Sequence, residues 1–92
     1  MIKIIYSEHL KRRLKKRDIP EDYPSQVINN AEETYKDVVS GYEIYILSLP
    51  HKGTIRKMVT ACDRINETLV AATIYPISEG KLANRKEAGR WI

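Results

Sequence analysis

The chain has no phenylalanine, a single cysteine, four glycines and four prolines in 92 residues. Each shortage excludes something. One thiol, Cys62, cannot close an internal disulfide, and it falls inside an apolar run, where a buried structural thiol is expected rather than a nucleophile. Four isolated glycines, Gly41, Gly53, Gly80 and Gly89, cannot make a glycine-rich phosphate loop. The two histidines, His9 and His51, stand far from each other and from Cys62, with no C-x-x-C or H-x-x-x-H pair, so no metal site is expected and no cofactor is implied. No run approaches the roughly 20 apolar residues that cross a bilayer, and Met1-Ile2-Lys3-Ile4-Ile5 leads into charge, not into a cleavable apolar leader. The expectation is a cytoplasmic protein with no membrane partner, one domain over residues 1–92.

What the chain does have is segregated charge. From His9 to Arg17 six cations (Lys11, Arg12, Arg13, Lys15, Lys16, Arg17) surround one histidine and two leucines, while from Glu21 to Glu43 six carboxylates face one lysine. A net charge of +4 is modest, but the clustering makes a phosphate-rich partner, nucleic acid, the first to test.

The periodicity gives an α+β domain. Lys3 to Tyr6 is a short isoleucine-rich strand, and Ser7 is an N-cap for a helix over about 8–17, with Glu8 in its first turn and cations in its last. Asp18-Ile19-Pro20 breaks that helix, and Pro20 or Pro24 opens a second one, directing Tyr23, Val27 and Ile28 inward until Asn29-Asn30 stops it. Thr34–Val39, Tyr42–Leu49, Ile55–Cys62 and Leu69–Ile77 are rich in β-branched and aromatic residues and separated by short turns, which predicts a meander. The expected order is β-α-α-β-β-β-β, with the helices on one face of an antiparallel sheet, and a short helical turn between Ser78 and Trp91.

Helical spacing puts His9, Arg13 and Arg17 on one stripe beside the Leu10/Leu14 stripe. Either these residues border a cleft and grip phosphate, or the arginine stems simply cover a small core. His9, in the first turn among cations, is expected neutral and able to accept a proton, as a general base for a ribose 2′-hydroxyl; a structural histidine is the alternative. His51 is expected in an exposed loop. In the last strand Val70, Ala72 and Ile74 are expected to take the helices while Thr73 and Tyr75 face the other way. Lys57, not Arg56, is expected to join Tyr75, which either stacks on a base or packs. Arg85, Arg90 and Trp91 either hold phosphates and stack a base, or Trp91 docks the tail.

The stripe Ser7-x-His9-x-x-x-Arg13-Leu14-x-x-Arg17-x-Ile19, followed by a short helix, a hairpin-rich sheet, Thr73-Ile74-Tyr75-Pro76 and Asn84-Arg85…Gly89-Arg90-Trp91, resembles the BrnT-like small domains of the RelE/ParE toxin superfamily. The resemblance runs over nearly the whole chain. It implies a RelE-like fold, metal-independent endoribonuclease activity on RNA, free or on the ribosome, and neutralisation by a cognate antitoxin protein. The family's helix-one histidine and arginines would be His9, Arg13 and Arg17 and its C-terminal cations Arg85 and Arg90; with the residue readings above, the expected catalytic residues are His9, Arg13, Arg85 and Arg90, and the expected RNA-binding residues Arg17, Lys57, Tyr75 and Trp91. ParE-type relatives poison DNA gyrase, so a toxin or adaptor that binds a protein, or a nucleic-acid-binding module without cleavage, is the rival expectation.

Overall fold

A computed structural model describes residues 2–92. The elements are β1 (Lys3–Tyr6), α1 (Glu8–Lys16), α2 (Tyr23–Asn30), β2 (Glu33–Lys36), β3 (Glu43–His51), β4 (Thr54–Ile65), β5 (Thr68–Ile77) and α3 (Glu79–Glu87). The five strands form one sheet in the order β1-β5-β4-β3-β2. Strands β2 to β5 make the expected antiparallel meander, but β1 lies parallel to β5, so the sheet is mixed. The parallel pairing follows from chain path: β1 leaves the sheet through α1 and α2 and does not turn straight back in a hairpin.

Strand β4 divides the interior, because its successive side chains point to opposite faces. Met58 and Cys62 pack with Leu10, Leu14, Ile19, Val27, Leu69, Ala71 and Ile74 under α1 and α2. Val59 and Ala61 pack with Ile44, Ile46, Ile77, Leu82 and Trp91 under α3. The C-terminal segment is thus a full helix on the second face, where only a turn was expected. Ser78 caps it, its hydroxyl accepting from the Lys81 N–H at 3.2 Å, and Leu82 anchors it.

A β-bulge corrects one expectation. Ala61 pairs with Thr73 and Cys62 with Ala71, so Ala72 has no partner on β4. The extra residue reverses the alternation. Leu69, Ala71 and Ile74 are therefore the residues of β5 buried beneath the helices, in place of the Val70, Ala72 and Ile74 set. Beyond the bulge Tyr75 and Ile77 meet the α3 core. The two in-strand prolines fit the sheet because each lies past the end of its outer neighbour. Strand β1 pairs with β5 only up to Ala71, leaving Pro76 clear, and β2 reaches only Ile46 of β3, leaving Pro50 clear.

Among the described residues no helix is long and apolar enough to cross a membrane.

Candidate nucleic-acid interface

Helix α1 is fixed at both ends by its own sequence. The Ser7 hydroxyl accepts from the Leu10 N–H at 3.1 Å and donates to the Ala72 carbonyl at 3.4 Å, while the Ser7 N–H donates to the Ala71 carbonyl at 3.0 Å. The first turn, with His9 on it, is thereby tied to the bulge of β5. Asp18, at φ 55°, ends the helix, and the Ile19 N–H reaches back to the Leu14 carbonyl at 3.0 Å. Leu10 and Leu14 are buried, which leaves His9, Lys11, Arg12, Lys15, Lys16 and Arg17 exposed and Arg13 half-buried.

These cations lack counter-charges. Lys11 meets Glu8 at 3.4 Å, and both side chains are largely exposed. Among the described residues Arg12, Arg13, Lys15, Lys16 and Arg17 have no ion pair. Like charges one turn apart cost a helix about 0.2–0.5 kcal/mol per pair, and Arg12/Lys16, Lys11/Lys15 and Arg13/Arg17 are such pairs. The favourable placement of cations at the helix C-terminus offsets part of this. The face is electrostatically incomplete, and three anions of the acidic middle segment, Glu33, Asp37 and Glu43, are paired elsewhere.

Glu43 pairs with Arg64, while Glu33 and Asp37 are spent on the α3 side. The Lys57 ammonium meets Glu33 at 2.7 Å and Glu79 at 3.2 Å. Lys57 does share the face of Tyr75, as expected, but it is already neutralised: the bond to Glu33 raises its pKa, and the reciprocal bond lowers that of Glu33. Arg56, paired with Leu49 of β3, is on the α1/α2 face and has no ion pair among the described residues.

Asp37, which the sequence reading passed over, organises the C-terminus. It is 5 % exposed and accepts from the Val39 N–H at 2.9 Å, the Ser40 N–H at 3.1 Å, the Trp91 indole N–H at 3.2 Å and Arg90 Nε at 3.2 Å. Burial pushes its carboxyl up, but the Ser40 and Val39 amides, the indole and the Arg90 guanidinium outweigh burial and hold it down at about 2. Backbone bonds Lys36 N–H to Ile92 O (2.9 Å), Ile92 N–H to Lys36 O (3.0 Å) and Val38 N–H to Arg90 O (2.9 Å) hold the tail beside the end of β2 in an isolated antiparallel bridge between Asp37 and Trp91. Trp91 is 3 % exposed, stacked on Tyr35 at 6.0 Å and covered by the Arg85 guanidinium at 5.0 Å. It is therefore a docking residue in place of a base-stacking one. Arg85 Nε is buried without a partner, and Tyr75 is half-buried, its hydroxyl pKa raised by burial against the lowering fields of Arg85 and Arg90.

The structure thus sorts the expected site residues into two groups on opposite faces of the sheet. His9, Arg13 and Arg17 stand on α1; Lys57, Tyr75, Arg85, Arg90 and Trp91 gather around α3 and the tail. No hydrogen bond or ion pair among the described residues joins one group to the other. His51 is the last residue of β3, half-buried and paired with Thr54 across a two-residue turn, and not a loop residue. Among the described residues no group of three or more His, Cys, Asp or Glu side chains is placed to hold a metal ion. Comparison with family models, with curated proteins and with solved structures finds no match to this chain.

Proposed function

We propose that the protein is an RNA-binding protein of the toxin type and that RNA lies along the outer face of α1. The observation that carries this reading is the set of five cations on α1, Arg12, Arg13, Lys15, Lys16 and Arg17, with no ion pair among the described residues. A phosphate chain supplies the missing charge and releases its own counterions on binding. The likeness to the BrnT-like branch of the RelE/ParE superfamily supports the same reading, and with it a protein antitoxin whose acidic or amphipathic segment covers α1 in the neutralised state.

The reaction that fits this face is metal-independent strand cleavage. His9, exposed at the start of α1, takes the proton of a ribose 2′-hydroxyl; the 2′-oxygen attacks the adjacent phosphorus, and the bond to the 5′-oxygen breaks as that oxygen takes a proton from solvent, leaving a 2′,3′-cyclic phosphate and a 5′-hydroxyl while His9 returns its proton to water. Arg13, one turn further on, offsets the charge that builds on the phosphorane, and Arg17 holds a flanking phosphate. Arg85 and Arg90 take no part in this scheme, because both are committed to the tail on the other face. That separation also favours a second reading, binding without cleavage, in which the α1 face grips nucleic acid or an acidic protein and performs no chemistry.

Incubation of the protein with end-labelled RNA in excess chelator, beside His9→Ala, separates the two. Cyclic-phosphate ends that disappear in a folded His9→Ala protein that still binds RNA support cleavage at this site. Intact RNA with salt-sensitive binding supports the binding reading, and absence of both overturns the proposal.

A further inference from the structure

An open cavity of about 230 Å³ lies beside α1, lined by Tyr6, Lys11, Leu14, Lys15 and Glu21. It is smaller than the roughly 300–1,000 Å³ pockets that hold drug-sized ligands, which suits a single ring system. The lining is graded. Leu14, 3 % exposed, and the Tyr6 ring supply an apolar floor. Lys11 and Lys15, one helical turn apart, line one side, and Glu21 lines the cavity ahead of α2.

The floor is held in place before any ligand arrives. The Tyr6 hydroxyl donates to the Glu21 carbonyl at 2.7 Å, shares a bond with Ser25 Oγ at 2.8 Å and accepts from the Ser25 N–H at 3.2 Å. Three contacts at one end of the side chain fix the ring, so a ligand entering the cavity has little ordering to supply. Lys11 is held only by its contact with Glu8 at 3.4 Å, between side chains 55 % and 81 % exposed, and can exchange that partner for another anion; Lys15 has no ion pair among the described residues.

We infer that this cavity is a nucleotide subsite: the base of one residue of the bound RNA lies against Tyr6 and Leu14, its phosphate meets Lys11 and Lys15, and its exocyclic amino group donates to Glu21. The inference rests on the RNA reading of α1 and gives that helix a means of selecting bases on the flank opposite His9, Arg13 and Arg17. In single-stranded RNA the Watson–Crick edge is free to be read, and aromatic side chains take bases by stacking. A carboxylate accepts from the amino group of cytosine, as it does in groove recognition of DNA. Uracil carries a carbonyl oxygen at that position, which a carboxylate repels. The cavity therefore discriminates cytidine from uridine, two bases of the same size.

The test uses the full-length chain, with CMP and UMP as probes in NMR titrations that follow Tyr6 and Leu14, together with binding of a short single-stranded RNA and of an abasic ribose-phosphate chain of equal length. The expected results are shifts at Tyr6 and Leu14 and a two- to tenfold preference for CMP, in the range of about one ordinary hydrogen bond. Loss of that preference is expected in Glu21→Ala, in which removal of a negative charge leaves binding of the abasic chain equal or tighter. RNA and abasic chain bound equally, with no shift at Tyr6, would overturn the subsite while leaving the α1 reading intact. Failure of RNA and abasic chain to bind at all would overturn the α1 reading, and the mononucleotide titration would still decide the cavity on its own. Equal shifts from CMP and UMP would remove Glu21 from the proposal.

Discussion

Replacement of Asp37 by Asn tests the account of the C-terminus, because the effect has both a size and a pH window. The folded carboxyl is held at about 2 against an ordinary 3.8. At 1.36 kcal/mol per pH unit this corresponds to ~2 kcal/mol of folding stability at neutral pH. The sign follows from the direction. The folded group titrates below the unfolded one, so its contribution is complete above about pH 4 and is lost as pH falls through about 2. Asn retains an acceptor for the Val39 and Ser40 amides but loses the charge that holds Arg90. Urea unfolding of both proteins at pH 7 and at pH 2.5 should give a gap of ~2 kcal/mol at neutral pH, worth roughly 10 °C in Tm for a domain of this size, and a much smaller gap in acid. Trp91, the one tryptophan, reports in the same experiment whether the tail has left its site. A gap of the same size at both pH values, or one below about 0.5 kcal/mol at pH 7, would refute the reasoning.

Other expectations concern separate parts of the molecule. Leu10→Ala, at a fully buried position under α1, should cost about 2–5 kcal/mol in chemical unfolding, and a cost below 1 kcal/mol would mean that α1 is not seated as described. Cys62, buried and with its thiol pushed up to about 12 by burial, then by the nearby Glu43 charge, should resist iodoacetamide at pH 8 until the protein is unfolded; rapid labelling of the native state would contradict that burial. Lys57→Met should weaken folding by about 1 kcal/mol through loss of the bonds to Glu33 and Glu79, while RNA affinity at fixed salt stays unchanged. A large loss of affinity in that variant would return Lys57 to the RNA-binding set.

The parts of the fold that were legible from sequence are those controlled by local chemistry. Ser7 reads as a cap because a hydroxyl at that position satisfies a free helix N–H, and it accepts from one; Ser78 does the same for α3, a helix the sequence showed only as a turn. The four meander strands read as such because their β-branched runs are interrupted by short turns. What escaped depends on contacts between residues far apart in the chain. The slip at Ala72 is set by how β5 meets β4, and no alternation of side chains in β5 alone reveals it. The parallel seat of β1 depends equally on where β5 ends up.

The site divides in the same way. The charge run of α1 was readable because it needs no partner. The commitments of Lys57, Arg90 and Trp91 were not, because Glu33, Glu79 and Asp37 reach them from distant segments. One local signal was available at Asp37: a carboxylate ahead of Val38-Val39-Ser40-Gly41 is placed to accept the amides two and three residues on, as it does.

The most direct test of which face takes RNA is an amide NMR titration of the full-length chain with a short single-stranded RNA, repeated at two salt concentrations. Shifts concentrated between Glu8 and Arg17, weakening steeply as salt rises, are the predicted result. Shifts concentrated on α3, Tyr75 and the Arg90–Ile92 tail, with α1 silent, would contradict the assignment and move the functional surface to the other side of the sheet.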